Sequence, residues 1–273
     1  MSSMAYFLAV LLFPTIFSAD VIRAVFPRAS GDFEIIFYRE GIEVARQLVD
    51  KNESVINTVG KVPDGVVKQY DESGRLRFQF NYKNSKKVGV ARGYDEEGKL
   101  TFEGRYKNGE YEGVSRQYYK SGKVSAETNF KNGKREGISK EFYESSVLKK
   151  EGTYMSNNLE LVKEYYEDGT LMRLLRFKAG KKEGRGEEYY GSGKLKGEVN
   201  FKDDVLEGIG KTYYENGQLK AEVNYKNGTM EGIGIEYYER GAVKYKDTYR
   251  EGKLVKRMEY DETGNLLYEQ ECK

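Results

Sequence analysis

A block of 24 residues recurs along this chain. A chain made of one short block repeated end to end builds a stack of neighbours, each touching only the next, and not a single central core. Residues 208–231 (GIGKTYYENGQLKAEVNYKNGTME) show the block most clearly, and copies begin at Gly65, Gly89, Gly113, Gly137, Glu160, Gly184, Gly208 and Gly232. The copies at Gly137 and Gly232 are one residue short, and a ninth, truncated copy occupies 255–273. The sixth residue is aromatic in every copy, from Tyr70 to Tyr237, and so is the eighteenth, from Tyr82 to Tyr249. The twelfth is always Leu or Val.

Inside the block the period is two. Leu219, Ala221, Val223 and Tyr225 alternate with Lys220, Glu222 and Asn224, the pattern of a half-buried strand. Asn216-Gly217 and Asn227-Gly228 break the pattern, and Asn-Gly suits the positive φ angles of a two-residue type I′ hairpin turn. At the second break Ser85, Asn157 and Asp204 replace the glycine, and Asn and Asp tolerate that conformation best. A two-residue loop at Asn216-Gly217 sets Lys211 opposite Glu222, and likewise Arg92 opposite Glu103, Arg116 opposite Glu127 and Lys140 opposite Glu151. Each such pair contributes about 0.2–1 kcal/mol. One copy breaks the rule by setting Glu187 against Glu198. The expected fold is all-β: an elongated single-layer antiparallel meander of β-hairpin repeats over 65–254. At about 4.8 Å per strand, eight two-strand units extend on the order of 75 Å.

Pro14, Pro27 and Pro63 all precede the array, as a sheet with paired amides requires. Residues 20–64 carry three candidate strands, 33–38, 42–49 and 55–62, and are expected to cap one end against edge-to-edge aggregation. Residues 5–17 are uncharged and mostly apolar, too short to span a bilayer comfortably and followed by Ser18-Ala19. They predict a signal peptide over 1–19 and an exported protein, with an uncleaved membrane anchor as the alternative.

The chain has no histidine and one cysteine, Cys272. That removes Ser-His-Asp and Cys-His catalysis, imidazole metal sites and any intrachain disulfide. With 46 basic against 44 acidic residues it lacks the excess of a nucleic-acid binder. Gly210-Lys211-Thr212 ends like a phosphate-binding loop, but Val205 stands where the motif needs glycine. Ser146 and Lys149 have SxxK spacing, yet Ser146 holds the turn-glycine position of its copy. Glu187 and Glu188 are neighbours on a strand and point to opposite faces, so they do not converge on one substrate. No cofactor, metal or catalytic residue is expected.

The unit G-x-x-K-x-Y-Y-E-N-G-x-L-K-x-E-x-x-Y-K-N-G-x-x-E-G resembles the MORN-repeat variant of bacterial proteins labelled YwqK-family antitoxins, over roughly 60–273. The resemblance implies a repeat β-sheet used for protein contacts, sometimes for membrane or lipid association, and brings no catalytic residues. The candidate interaction surface is the tyrosine rows: Tyr118 and Tyr119, Tyr143, Tyr165 and Tyr166, Tyr189 and Tyr190, Tyr213 and Tyr214, Tyr237 and Tyr238. Cross-strand packing is the ordinary use of such residues, and interface anchoring the functional one. The expected role is an interaction scaffold for another protein, antitoxin-like in kind. An envelope module binding glycan or anionic lipid is the alternative.

Overall fold

The structure, a computed structural model, describes residues 20–52 and 54–272; the expected signal peptide over 1–19 lies outside them. Among the described residues there are strands and turns and no helix. The chain divides into two compact units, one ending at Arg135 and the other beginning at Glu136. Each is an open meander of hairpins in which strands pair mostly antiparallel to their sequence neighbours.

The first unit begins with β1 (Val21–Pro27), β2 (Phe33–Arg39), β3 (Ile42–Val49) and β4 (Val55–Gly60), each antiparallel to the next. The repeats start with β5 (Gly65–Tyr70) and β6 (Leu76–Lys83). β1 joins the two sets by pairing parallel with β5, Val21 opposite Val67. This join was not legible in the sequence. The sheet then curls, bringing β3 over to the turn after β6: Gln47 Nε2 donates to the Ser85 carbonyl (3.1 Å) and the Val62 amide to Ser85 Oγ (3.0 Å). Inside the curl lies a core of Val21, Ile35, Phe37, Ala45, Val49, Val62, Val67, Phe80 and Tyr82, with the Phe37 and Tyr82 rings edge-on at 5.4 Å.

The hairpin register is the one that the charges predict: Arg92 faces Glu103, Arg116 faces Glu127, Lys140 faces Glu151 and Lys211 faces Glu222. The expected type I′ turn at Asn216-Gly217 is corrected. Of these two residues Gly217 alone has positive φ (92°). Its amide donates to the Tyr214 carbonyl, and the Tyr214 amide donates to the Gln218 carbonyl, both at 2.8 Å. That is a three-residue loop, a type I turn closed by a residue in the left-handed region. It shifts the register by one, and a bulge at Lys220 shifts it back, since Thr212 faces Ala221 while Tyr213 faces Leu219. Ser146 occupies the same place with φ 72°. The second break is type I′ as expected, with Asn227 at φ 50° and Gly228 at φ 82°, and Asp203-Asp204 and Ser156-Asn157 do the same without glycine.

In the second unit the third position of three copies is Gly186, Gly210 or Gly234, under the aromatic of the eighteenth. A Cβ on Gly210 would lie 2.9 Å from Tyr225 Cε2 and 3.2 Å from Val199 Cγ1. The ring therefore packs against the glycine, in space that a side chain there would take.

Candidate functional site

Two rows of hydrogen bonds run across the repeats, one at each end of the strands. At the three-residue loops, the seventh-position tyrosine of one copy reaches the next copy. Tyr143, Tyr166, Tyr190, Tyr214 and Tyr238 donate through their hydroxyls to the carbonyls of Tyr165, Tyr189, Tyr213, Tyr237 and Tyr260, at 2.6–3.0 Å. Lysine ammonium groups sit over three of these rings, Lys149 over Tyr143, Lys220 over Tyr214 and Lys244 over Tyr238, at 5.5–5.7 Å from the centroids. Where the seventh residue is Asp71, Asp95 or Asp261, the side chain instead holds its own loop, as when Asp71 Oδ1 accepts from the Ser73 and Arg75 amides. Tyr119 is half-buried, and its amide donates to the Lys123 carbonyl.

At the opposite ends, in six of the eight copies an acid before the first residue accepts the amide of the turn residue twenty positions on. Glu112 takes Asn132, Glu136 takes Ser156, Glu183 takes Asp203, Glu207 takes Asn227 and Glu231 takes Glu251, at 2.8–3.1 Å. Asp64 does the same for Asn84. The next turn amide bonds the preceding copy, as Gly228 N–H does the Leu206 carbonyl (2.9 Å). The Glu-Gly pair of the repeat signals this row; its role went unread in the sequence because the partner lies almost one repeat away.

The sixth-position tyrosines share a strand face with the charge pairs. Tyr213 donates to Glu198 (2.7 Å) and Tyr237 to Glu222 (3.1 Å). Burial, then the Glu198 hydrogen bond, pushes the Tyr213 hydroxyl up to about 12. Tyr237 is raised by burial and Glu222. Tyr189 is raised by burial and Glu187, and Tyr118 by burial and Glu103. Tyr165 is half-buried on the same face. The opposed Glu187 and Glu198 are held by one guanidinium, Arg185 Nε lying 2.8 Å from Glu187 and its Nη2 2.6 Å from Glu198. This cation, at the second position of its copy, resolves the like-charge pair.

The other second positions on that face in this unit are aliphatic. Ile138, Ile209 and Ile233 are 43%, 52% and 52% exposed, and opposite them stand Thr153, Asn224 and Thr248, which do not cover them. Alternation alone reads such residues as core, so sequence reasoning missed this row. Lys211 is paired with Glu222 at 3.9 Å and Lys149 lies over a ring, so neither the GKT nor the SxxK spacing assembles a reacting site. Among the described residues no group of three acidic or thiol side chains is placed to hold a metal.

The MORN repeat variant family matches eight segments: 63–84, 87–108, 111–132, 135–155, 161–179, 182–203, 206–227 and 230–251. No curated protein matches the chain. Among solved structures, the Photorhabdus luminescens Tc holotoxin pore (TccC3-D651A) is similar at 12% identity over 86% of this chain, with a TM-score of 0.19. The TcdB2-TccC3 structure is similar at 12% over 92%, with a TM-score of 0.21, and this chain spans only 13% and 16% of those two chains. A porin-like protein from Bacteroides uniformis is similar at 11% identity over 86% of this chain and 91% of its own, with a TM-score of 0.17. Likenesses this slight bear on neither fold nor function.

Proposed function

Since the chain belongs to the MORN repeat variant family, we propose that it is a non-enzymatic repeat scaffold that docks another protein on the isoleucine-bearing face of its second unit. The exposed row of Ile138, Ile209 and Ile233 carries this reading. Single exposed aliphatics are common on any surface, but the same position left open in two adjacent copies, at Ile209 and Ile233, and again at Ile138, on the face of Tyr165, Tyr189, Tyr213 and Tyr237, is a patterned surface. The charges around it are paired within the sheet, as in Lys211 with Glu222 and Arg185 with Glu187 and Glu198. An anionic lipid surface would call for unpaired basic residues. A patterned aliphatic row with balanced polar surroundings suits a folded protein partner.

In its antitoxin-like form this reading has one partner bound in stoichiometric amount, and we place the encounter outside the cytosol on the strength of the apolar 5–17 segment. In-cell crosslinking of the tagged full-length chain, followed by fractionation, tests it. The reading expects one dominant protein, lost when Ile209→Asp and Ile233→Asp are combined. Capture dominated by envelope glycan or lipid, or unchanged by the double substitution, would sink it.

A further inference from the structure

β4 differs from the strands that follow it. Among the described residues it pairs on one side only, with β3. Its sequence is VINTVG, without a charge or a proline, whereas β1, β2, β3, β5 and β6 each carry at least one charged residue. Val55, Ile56 and Val59 are 53%, 55% and 63% exposed. A strand left open at a sheet edge is ordinarily guarded by lysine, proline or a bulge, because its free amides and carbonyls are a template for another strand. Of these guards β4 has only a bulge, at Ile56, since Leu48 faces Asn57 while Val49 faces Val55, and beside it the Asn57 side chain accepts the Thr58 amide at 2.8 Å. That plug is easily displaced, since a partner's carbonyl offers the same bond.

We propose that β4 is a docking edge for a second copy of this chain, two β4 strands pairing antiparallel about a two-fold axis. Backbone chemistry asks for a strand, and the side chains favour this one. An isologous pair sets Val55, Ile56 and Val59 against the same set and brings no like charges together along the strand. The ends are compatible as well. Asp50, Lys51 and Glu53 precede the strand and Lys61 and Asp64 follow it, so antiparallel pairing sets the Glu53 end of each copy near the Lys61 end of the other. This edge lies in the first unit and is independent of the isoleucine row.

Sedimentation of the full-length chain over a wide concentration range tests the proposal, together with hydrogen exchange at 55–60. The expected result is a reversible dimer in which the amides of β4 gain protection as concentration rises. Ile56→Lys puts a charge on the edge and should weaken the dimer at least ~tenfold. Asn57→Ala, which unplugs the Thr58 amide, should strengthen it. Both positions are exposed, so neither change threatens the fold. A chain monomeric at every concentration would overturn the proposal. So would a dimer that Ile56→Lys leaves intact, or one that leaves the β4 amides unprotected.

Discussion

The two units are built from the same repeat and hold together differently. The first curls on itself and buries Phe37, Val62 and Val67 completely, with Phe80 and Tyr82 nearly so. In the second, Val162 is the one buried hydrophobic side chain among the described residues. What replaces a core there is lateral: aromatic rings packed against glycines, tyrosine hydroxyls bonded to the next copy's carbonyls, and glutamates bonded to the next copy's turn amides. A thin sheet can thus be stabilised by many modest repeated bonds where a curled one relies on a few large side chains.

The comparison breaks most sharply at the core. Phe37→Ala should cost the first unit about 3–5 kcal/mol, read as an earlier transition in urea, while amide exchange in the hairpins beyond Gly208 stays unchanged. The converse variant is Gly210→Val. Its side chain must lift the Tyr225 ring and press on Val199, and about 1–3 kcal/mol of local stability should go with it. Val67 and Ala91 in the first unit and Val162 in the second fill the equivalent position and are buried, so the expected penalty belongs to the Tyr225 ring packed on Gly210 and not to the position itself.

The lateral bonds are individually smaller. Glu207→Ala leaves the Asn227 amide to water and should cost about 1 kcal/mol, and Tyr214→Phe a comparable or smaller amount, both measurable by thermal unfolding against wild type. A pH titration sharpens the same point. The Tyr213 hydroxyl must be protonated to donate to Glu198, and its value is raised in the fold. Its contribution is therefore complete below its ordinary value near 10 and is lost as pH climbs toward about 12. Tyr213→Phe should flatten the alkaline limb of the stability curve in that window.

Much of this architecture was legible in the residues. The two-residue alternation placed the strands, and the Lys–Glu spacing placed the register, including the Glu187–Glu198 exception. Ser146 was readable as a turn residue from its position alone. The loop at Asn216-Gly217 was not, because Asn-Gly serves two turn types, and the bulge at Lys220 restores the register that the other type would give. β1 was missed because its parallel partner is β5, far along the chain, and only the curl brings them together. The tyrosine rows were visible as rows, but not their division of labour: the seventh position stitches copies, while the sixth shares its face with the open isoleucines. That face was hidden because the exposure of Ile209 depends on Asn224 standing opposite, a fact of register and not of composition.

The most direct test of the lateral account is native-state hydrogen exchange on the double variant Glu207→Ala, Tyr214→Phe. The account predicts faster exchange at the Asn227 and Gly228 amides and around Tyr237, confined to the copies on either side, with the first unit's core amides as slow as in wild type. Unchanged exchange at those amides would contradict it, since the sheet would then be holding its copies together by strand pairing alone.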